Sequence, residues 1–190
     1  MIYLYEVPCD PKIISQKVTG PRLNVTHPRL VNFCDYSIEE SVNEQIKNLV
    51  QQMIQTCAQD HESVMITGRY KINLNTKYLL SLSQEVFSQR TNQETLYSMM
   101  KSLNFDLFTG KKLTLPDLFD KESDYEKIFT FPFVVTAEPF REPFPKENDY
   151  FLTFKDLVVI INQKEFSIPL LKLKKILFND SPVKRLLLHL

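Results

Sequence analysis

At 190 residues and 43% hydrophobic content, the chain is long enough to bury an apolar core without disulfides or a metal, and short enough for a single domain over residues 1–190. Its 23 basic side chains balance 23 acidic ones, which excludes the positive field of a general nucleic-acid binder. Three Gly against 11 Pro, with 14 Phe and 8 Tyr, weigh against Gly-rich phosphate-binding turns and suit strands joined by Pro-stiffened loops.

The opening residues lack the charged-then-apolar plan of an export signal, and no run approaches the roughly 20 apolar residues of a membrane span, so the chain as it stands reads as cytoplasmic. Residues 1–35 are extended and interrupted by Pro8, Pro11, Pro21 and Pro28, each of which removes a donor and turns its predecessor away from helix. Short edge strands are expected there. Ser37 and Glu40 then have the spacing of a capping box, and Ile38, Val42, Ile46, Leu49, Val50, Met53, Ile54 and Cys57 follow in steps of three and four. That stripe predicts an amphipathic helix lying on a sheet.

From Val64 the period changes to two, with Val64, Ile66, Tyr70, Ile72 and Leu74 on one face. A turn at Asn75-Thr76, a return strand over 77–87 and a third strand from Tyr97 to Leu107 complete an antiparallel meander. Thr114 and Asp117 frame a capped helical turn with Pro116 inside it, and residues 123–129 suit another short helix. Residues 130–148 mix Pro with Phe131, Phe133, Phe140 and Phe144 in a stiff loop, after which a hairpin runs through Tyr150, Leu152 and Phe154 into 157–161. The end, 169–190, divides into two helical pieces at Pro182. The fold class is therefore α+β: an antiparallel sheet, meander plus later hairpin, under one long helix, with short helices after the third strand and at the end.

Few residues are placed for chemistry. His27, His61 and His189 lie in separate contexts without metal-ligand spacing, and Cys9, Cys34 and Cys57 are three widely spaced thiols, expected to be reduced and partly buried. The pairs Asp117 with Asp120 and Glu122 with Asp124 sit around helix starts, where carboxylates stabilise the turn. No nucleophile elbow or phosphate-binding loop is present, so no catalytic residue, cofactor or metal is assigned. Phe140 and Phe144 are the candidate partner-binding residues, because Phe buries a large area at small entropic cost beside pre-ordered Pro.

Val25-Thr26-His27-Pro28-Arg29-Leu30, followed by Asn43 and Ile46, resembles the opening of a family of bacterial domains of unknown function. Residues 103–119, a strand, a Thr-Gly-Lys turn and a Leu-Pro-Asp-Leu-Phe turn, are similar to its middle, and residues 150–159 to its later hairpin, so that the resemblance spans roughly 20–175. Its members include the extracellular part of the anti-sigma-V factor, which senses lysozyme, and the non-catalytic region before some peptidoglycan deacetylase domains. The resemblance implies a recognition or sensing role toward a protein or cell-wall glycan outside the cytoplasm. Residues 88–95 replace a segment that contains glycine and histidine in the family, and no functional residue is carried across. Two other functions are weighed beside it. A small hydrolase would show a deep pocket joining His27 or His61 to a cysteine or carboxylate, and a self-associating protein would show an apolar patch at Leu186 to Leu190.

Overall fold

The computed structural model describes residues 10–58, 64–90, 95–125, 149–161 and 164–187. Strands β1 (Lys12–Gly20) and β2 (Leu23–Val31) form an antiparallel hairpin in one unbroken register, so the prolines punctuate two nine-residue strands instead of confining them to short ones. Pro11 precedes β1 and Pro21 lies in the two-residue turn. Pro28 falls beyond the stretch of β2 that pairs with the next strand, so its missing N–H disturbs no bond there.

Asn32, in the left-handed region at φ 57°, turns the chain toward helix α1 (Tyr36–Ala58). The capping box expected at Ser37 and Glu40 is replaced by an Asp cap. Asp35 Oδ1 accepts the backbone N–H of Ser37 at 2.9 Å and of Ile38 at 3.2 Å, and also the Ser37 hydroxyl at 2.6 Å. An ionised carboxylate is a stronger acceptor than a hydroxyl, so the helix starts one residue earlier. The same bonds, the one from the Ser37 side chain foremost, lower the pKa of Asp35.

Beyond α1 come β3 (Met65–Asn75), β4 (Leu79–Gln89) and β5 (Thr95–Asp106), the antiparallel meander expected from the period-two pattern. The sheet is larger than the meander, because β3 also pairs in parallel with β2 over three residues, Leu23–Val25 against Ile66–Gly68. Helix α1 is the crossover of that β-α-β unit. Strand β6 (Lys111–Lys112) adds a short edge after a turn whose Gly110 sits at φ 71°, and the order is β1-β2-β3-β4-β5-β6. A 3-10 turn, Leu115–Leu118, follows with the Thr114/Asp117 capping box in place.

A second sheet, β7 (Asp149–Leu152), β8 (Asp156–Ile161) and β9 (Lys164–Pro169), extends the expected hairpin by one strand. Two short helices, α2 (Leu170–Leu173) and α3 (Pro182–Leu187), end the described chain; there are two pieces as expected, but α2 stops at Leu173 and Pro182 opens α3. Among the described residues no helix is long and apolar enough to cross a membrane.

These elements enclose two apolar clusters. The first lies between α1 and the sheet and contains Val25, Leu30, Val42, Ile46, Val50, Met53, Leu82, Val86 and Phe105. The second joins Leu74, Leu79, Leu118 and Phe119 to Leu152, Leu157, Val159 and Ile168 of the second sheet, and to Leu170, Leu173, Val183, Leu186 and Leu187 near the end. The lysine-and-leucine end thus packs Leu170, Leu173, Leu177, Leu186 and Leu187 inward, while Leu171 stays exposed. Strand β4 serves both clusters by alternation, with Leu80 and Leu82 in the first and Leu79 in the second.

Candidate functional site

Two of the pieces of sequence that carry the family resemblance meet in space. Asn43 on α1 lies over Leu30 on β2. Its Oδ1 accepts the Leu30 N–H at 2.8 Å, and its Nδ2 donates to the Leu30 carbonyl at 2.8 Å. A primary amide is suited to this clamp because it offers a donor and an acceptor side by side. Glu39 adds a second tie, its Oε2 accepting the N–H of Phe33 at 2.7 Å. Helix and hairpin are held together at this end, and alongside the clamp runs a groove of about 770 Å³.

One wall of the groove comes from the hairpin, with Gln16, Lys17, Val18 and Arg29. The other comes from α1, with Ser37, Glu40, Ser41, Glu44, Lys47 and Gln51. Glu40, Glu44, Lys47 and Gln51 recur at helical spacing, on the flank of α1 next to the stripe that enters the core. His27 lies in the groove lining and is only 6% exposed.

Its Nδ1 is 3.1 Å from the Pro28 carbonyl oxygen. A carbonyl only accepts, so in the neutral ring the proton sits on Nδ1 and Nε2 keeps its lone pair. Among the described residues Nε2 has no hydrogen-bond partner, and it is free to accept from a bound molecule. The groove therefore offers an imidazole acceptor, two carboxylates and three cationic side chains in a lining with no Phe, Tyr or Trp.

Among the described residues no hydroxyl, thiol or carboxylate bonds to the His27 ring. The Ser37 hydroxyl is engaged with Asp35, and the Ser41 hydroxyl accepts from Gln45 Nε2 at 3.3 Å. Cys57 is buried beneath β4, its thiol 3.7 Å from the Val86 carbonyl and its pKa raised by desolvation. Cys34 is disulfide-bonded, against the expectation of reduced thiols.

Asp117, of the acidic pairs in the sequence, serves the 3-10 turn. Asp117 Oδ2 accepts the backbone N–H of Thr114 at 2.7 Å, and its Oδ1 pairs with Lys111 Nζ at 2.6 Å. Burial opposes ionisation of Asp117, but the hydrogen bonds from Lys111 and Thr114 outweigh it and its pKa is lowered. Asp120 accepts the N–H of Glu122 at 3.1 Å. Among the described residues no three His, Cys, Asp or Glu side chains cluster as a metal site would require. His61, His189, Phe140 and Phe144 lie outside the described residues, as does most of the short helix expected at 123–129.

The groove escaped the sequence because each of its charged residues reads, on its own, as part of a solvated face. The signal that was present is the pairing of the His27 segment with Asn43.

The class of protein that this fold defines is an α+β domain with a mixed six-stranded sheet, one long helix after its second strand, and a second, three-stranded sheet. Two solved structures of bacterial proteins of the DUF3298 family share it. The protein from Bacteroides fragilis superposes with a TM-score of 0.62 at 14% identity, over 93% of this chain and 97% of its own. The protein from Pseudomonas aeruginosa gives 0.58 at 12% identity, over the same shares of the two chains. At these identities the likeness is one of fold, and it fits a bacterial domain of unknown function. No protein-family model matches the sequence, and no curated protein does.

Proposed function

We propose that the protein is a non-catalytic recognition domain of the bacterial cell envelope that binds a protein or cell-wall glycan partner in the groove between α1 and the β1–β2 hairpin. The observation that carries this reading is the lining of that groove. A buried His27 with an open acceptor nitrogen sits among Lys17, Arg29, Glu40, Glu44 and Lys47, none of which forms an ion pair among the described residues. The disulfide at Cys34 supports an oxidising compartment, since such bonds persist outside the cytoplasm. The resemblance to the extracellular part of the anti-sigma-V factor and to the region before peptidoglycan deacetylase domains points the same way. Phe140 and Phe144 are proposed as further anchors for the partner.

Titration calorimetry with purified lysozyme and with soluble peptidoglycan fragments tests the reading. Saturable binding that is lost in Arg29→Glu and Glu44→Lys is expected for a site in the groove. Loss only in the Phe140→Ala/Phe144→Ala double variant would move the site to that loop, and no binding of either bait by the parent would sink the envelope reading.

A hydrolase is the second reading, because the groove does bring His27 together with the carboxylates of Glu40 and Glu44. Its weakness is that Nδ1 is oriented by a backbone carbonyl and neither carboxylate bonds to the ring. Turnover of peptidoglycan fragments that disappears in His27→Ala would establish it.

A further inference from the structure

The edges of the two sheets are treated unequally. The β5 edge of the large sheet is covered over its last residues: β6 pairs with Phe105 and Asp106, the Leu113 N–H donates to the Asn104 carbonyl at 2.7 Å, and Asp149 reaches the Ser102 N–H at 3.5 Å. In the small sheet, β7 has its Leu152 N–H and Tyr150 carbonyl taken by Ser81 and Asn104, and β9 is six residues long and ends in Pro169. Strand β1 has none of these protections. It runs nine residues in one register with no bulge and no internal proline, and among the described residues nothing pairs with its outer side. Ile14, an apolar residue on this edge, is 41% exposed. Natural sheets blunt such an edge by shortening, bulging or covering it, because its free N–H and C=O groups otherwise recruit another strand.

We propose that β1 pairs antiparallel with β1 of a second copy of this chain, about a two-fold axis at Gln16, so that two six-stranded sheets become one. The sequence of the strand selects this partner and this register. A two-fold axis perpendicular to the sheet must pass where a residue meets its own counterpart. Centred on Gln16, all nine residues overlap. Ile14 then meets Val18, Ile13 meets Thr19, Ser15 meets Lys17, Lys12 meets Gly20, and the two Gln16 amides face each other. The apolar residues become cross-strand pairs, which stabilise a sheet, and no lysine opposes a lysine.

Neighbouring registers do worse. Centring on Lys17 sets that lysine against itself, and centring on Ser15 sets Lys17 against Ile13 and Lys12 against Val18. Among the registers in which at least seven of the nine residues overlap, the lysines thus favour the one centred on Gln16. This inference goes beyond the recognition reading but touches it, since Gln16 and Val18 also line the groove. In the dimer, Ile14 of the second copy would stand beside Val18 and lengthen the groove wall.

The test uses the whole chain. Sedimentation equilibrium from micromolar to submillimolar protein is expected to show a monomer–dimer equilibrium. It should be weakened roughly tenfold or more by Gln16→Lys, which places like charges face to face, and strengthened by Ser15→Glu, which places a carboxylate opposite Lys17. The register is read by oxidation. Directly opposed residues lie about 4.5–5.5 Å apart at Cα, within disulfide range, so Gln16→Cys should give a covalent dimer while Ser15→Cys should not. Far-ultraviolet circular dichroism confirms that each variant is folded. A parent that stays monomeric throughout the range would overturn the proposal. So would a dimer that Ser15→Cys traps as readily as Gln16→Cys, or one that neither charge variant alters.

Discussion

Asn43 holds the N–H and the C=O of one completely buried residue, Leu30, with a single side chain. Truncation by Asn43→Ala removes both bonds and strands two backbone groups away from water, an effect of roughly 2–4 kcal/mol. Asn43→Asp keeps an acceptor for the N–H but offers the carbonyl no donor near neutral pH, so its urea midpoint should fall between those of the parent and the alanine variant. Equal midpoints for all three would show that the clamp is idle. Asp117 gives a pH-dependent counterpart. Its folded pKa is lowered, so its contribution is present above the unfolded carboxylate value near about 3.9 and is lost as pH falls through the folded value. Thermal melts of Asp117→Asn should therefore decline less steeply than those of the parent as pH falls below about 4. A parallel decline in both would remove Asp117 from the acid response. Residues whose role is local, such as Thr114 and Asp117, were legible from their spacing. The roles of His27, Asn43 and Cys34 were not, because each depends on a partner that only the fold brings near.

At the scale of elements, legibility followed the strength of the periodic signal. Helix α1, the three-strand meander and the β7–β8 hairpin each carry several buried residues at the right spacing, and each was readable. Strand β9 buries only Ile168 deeply, among lysine, glutamate and serine, and its alternation was too faint to separate from the following helix. The parallel contact between β2 and β3 was hidden for another reason: its backbone ladder is only three residues long. Where the two strands part, Gln84 of β4 donates from Nε2 to the Thr26 and Arg69 carbonyls, both at 3.1 Å, and so bridges β2 and β3. Gly68 makes the contact possible, because a Cβ there would lie 2.8 Å from Val25 Cγ1 and 2.9 Å from the Glu85 carbonyl oxygen. Gly68→Ala should destabilise by about 1–3 kcal/mol through overpacking. Adding Val25→Ala removes the side-chain clash but leaves the carbonyl, so the double variant should lose less than the sum of the single losses in a denaturant cycle. Strict additivity would mean that the two strands separate freely at this point.

The whole molecule poses the question of whether its two apolar clusters open together. They share β4, whose side chains alternate between them, and their junction is laced with buried polar bonds. Tyr150 donates its hydroxyl to the Leu113 carbonyl at 2.9 Å, Asn104 Nδ2 donates to the Tyr150 carbonyl at 2.8 Å, and Ser81 Oγ accepts the Leu152 N–H at 2.9 Å. Separating the sheets would expose these groups along with the leucines behind them, so opening of one cluster should draw in the other. Cys57 supplies a reporter, since it is a free thiol 3% exposed in the cluster under α1, far from the second sheet, and burial raises its pKa. Leu157→Ala empties a fully buried site in the other cluster and should lower global stability by about 2–5 kcal/mol. If the clusters open as one unit, labelling of Cys57, followed by mass spectrometry in native buffer, should accelerate by the factor that the stability loss dictates, about tenfold for each 1.4 kcal/mol. An unchanged labelling rate, together with loss of amide protection confined to β7, β8 and β9, would instead make the second sheet a unit that opens alone. The groove between α1 and the β1–β2 hairpin would then sit on the half of the molecule that stays closed.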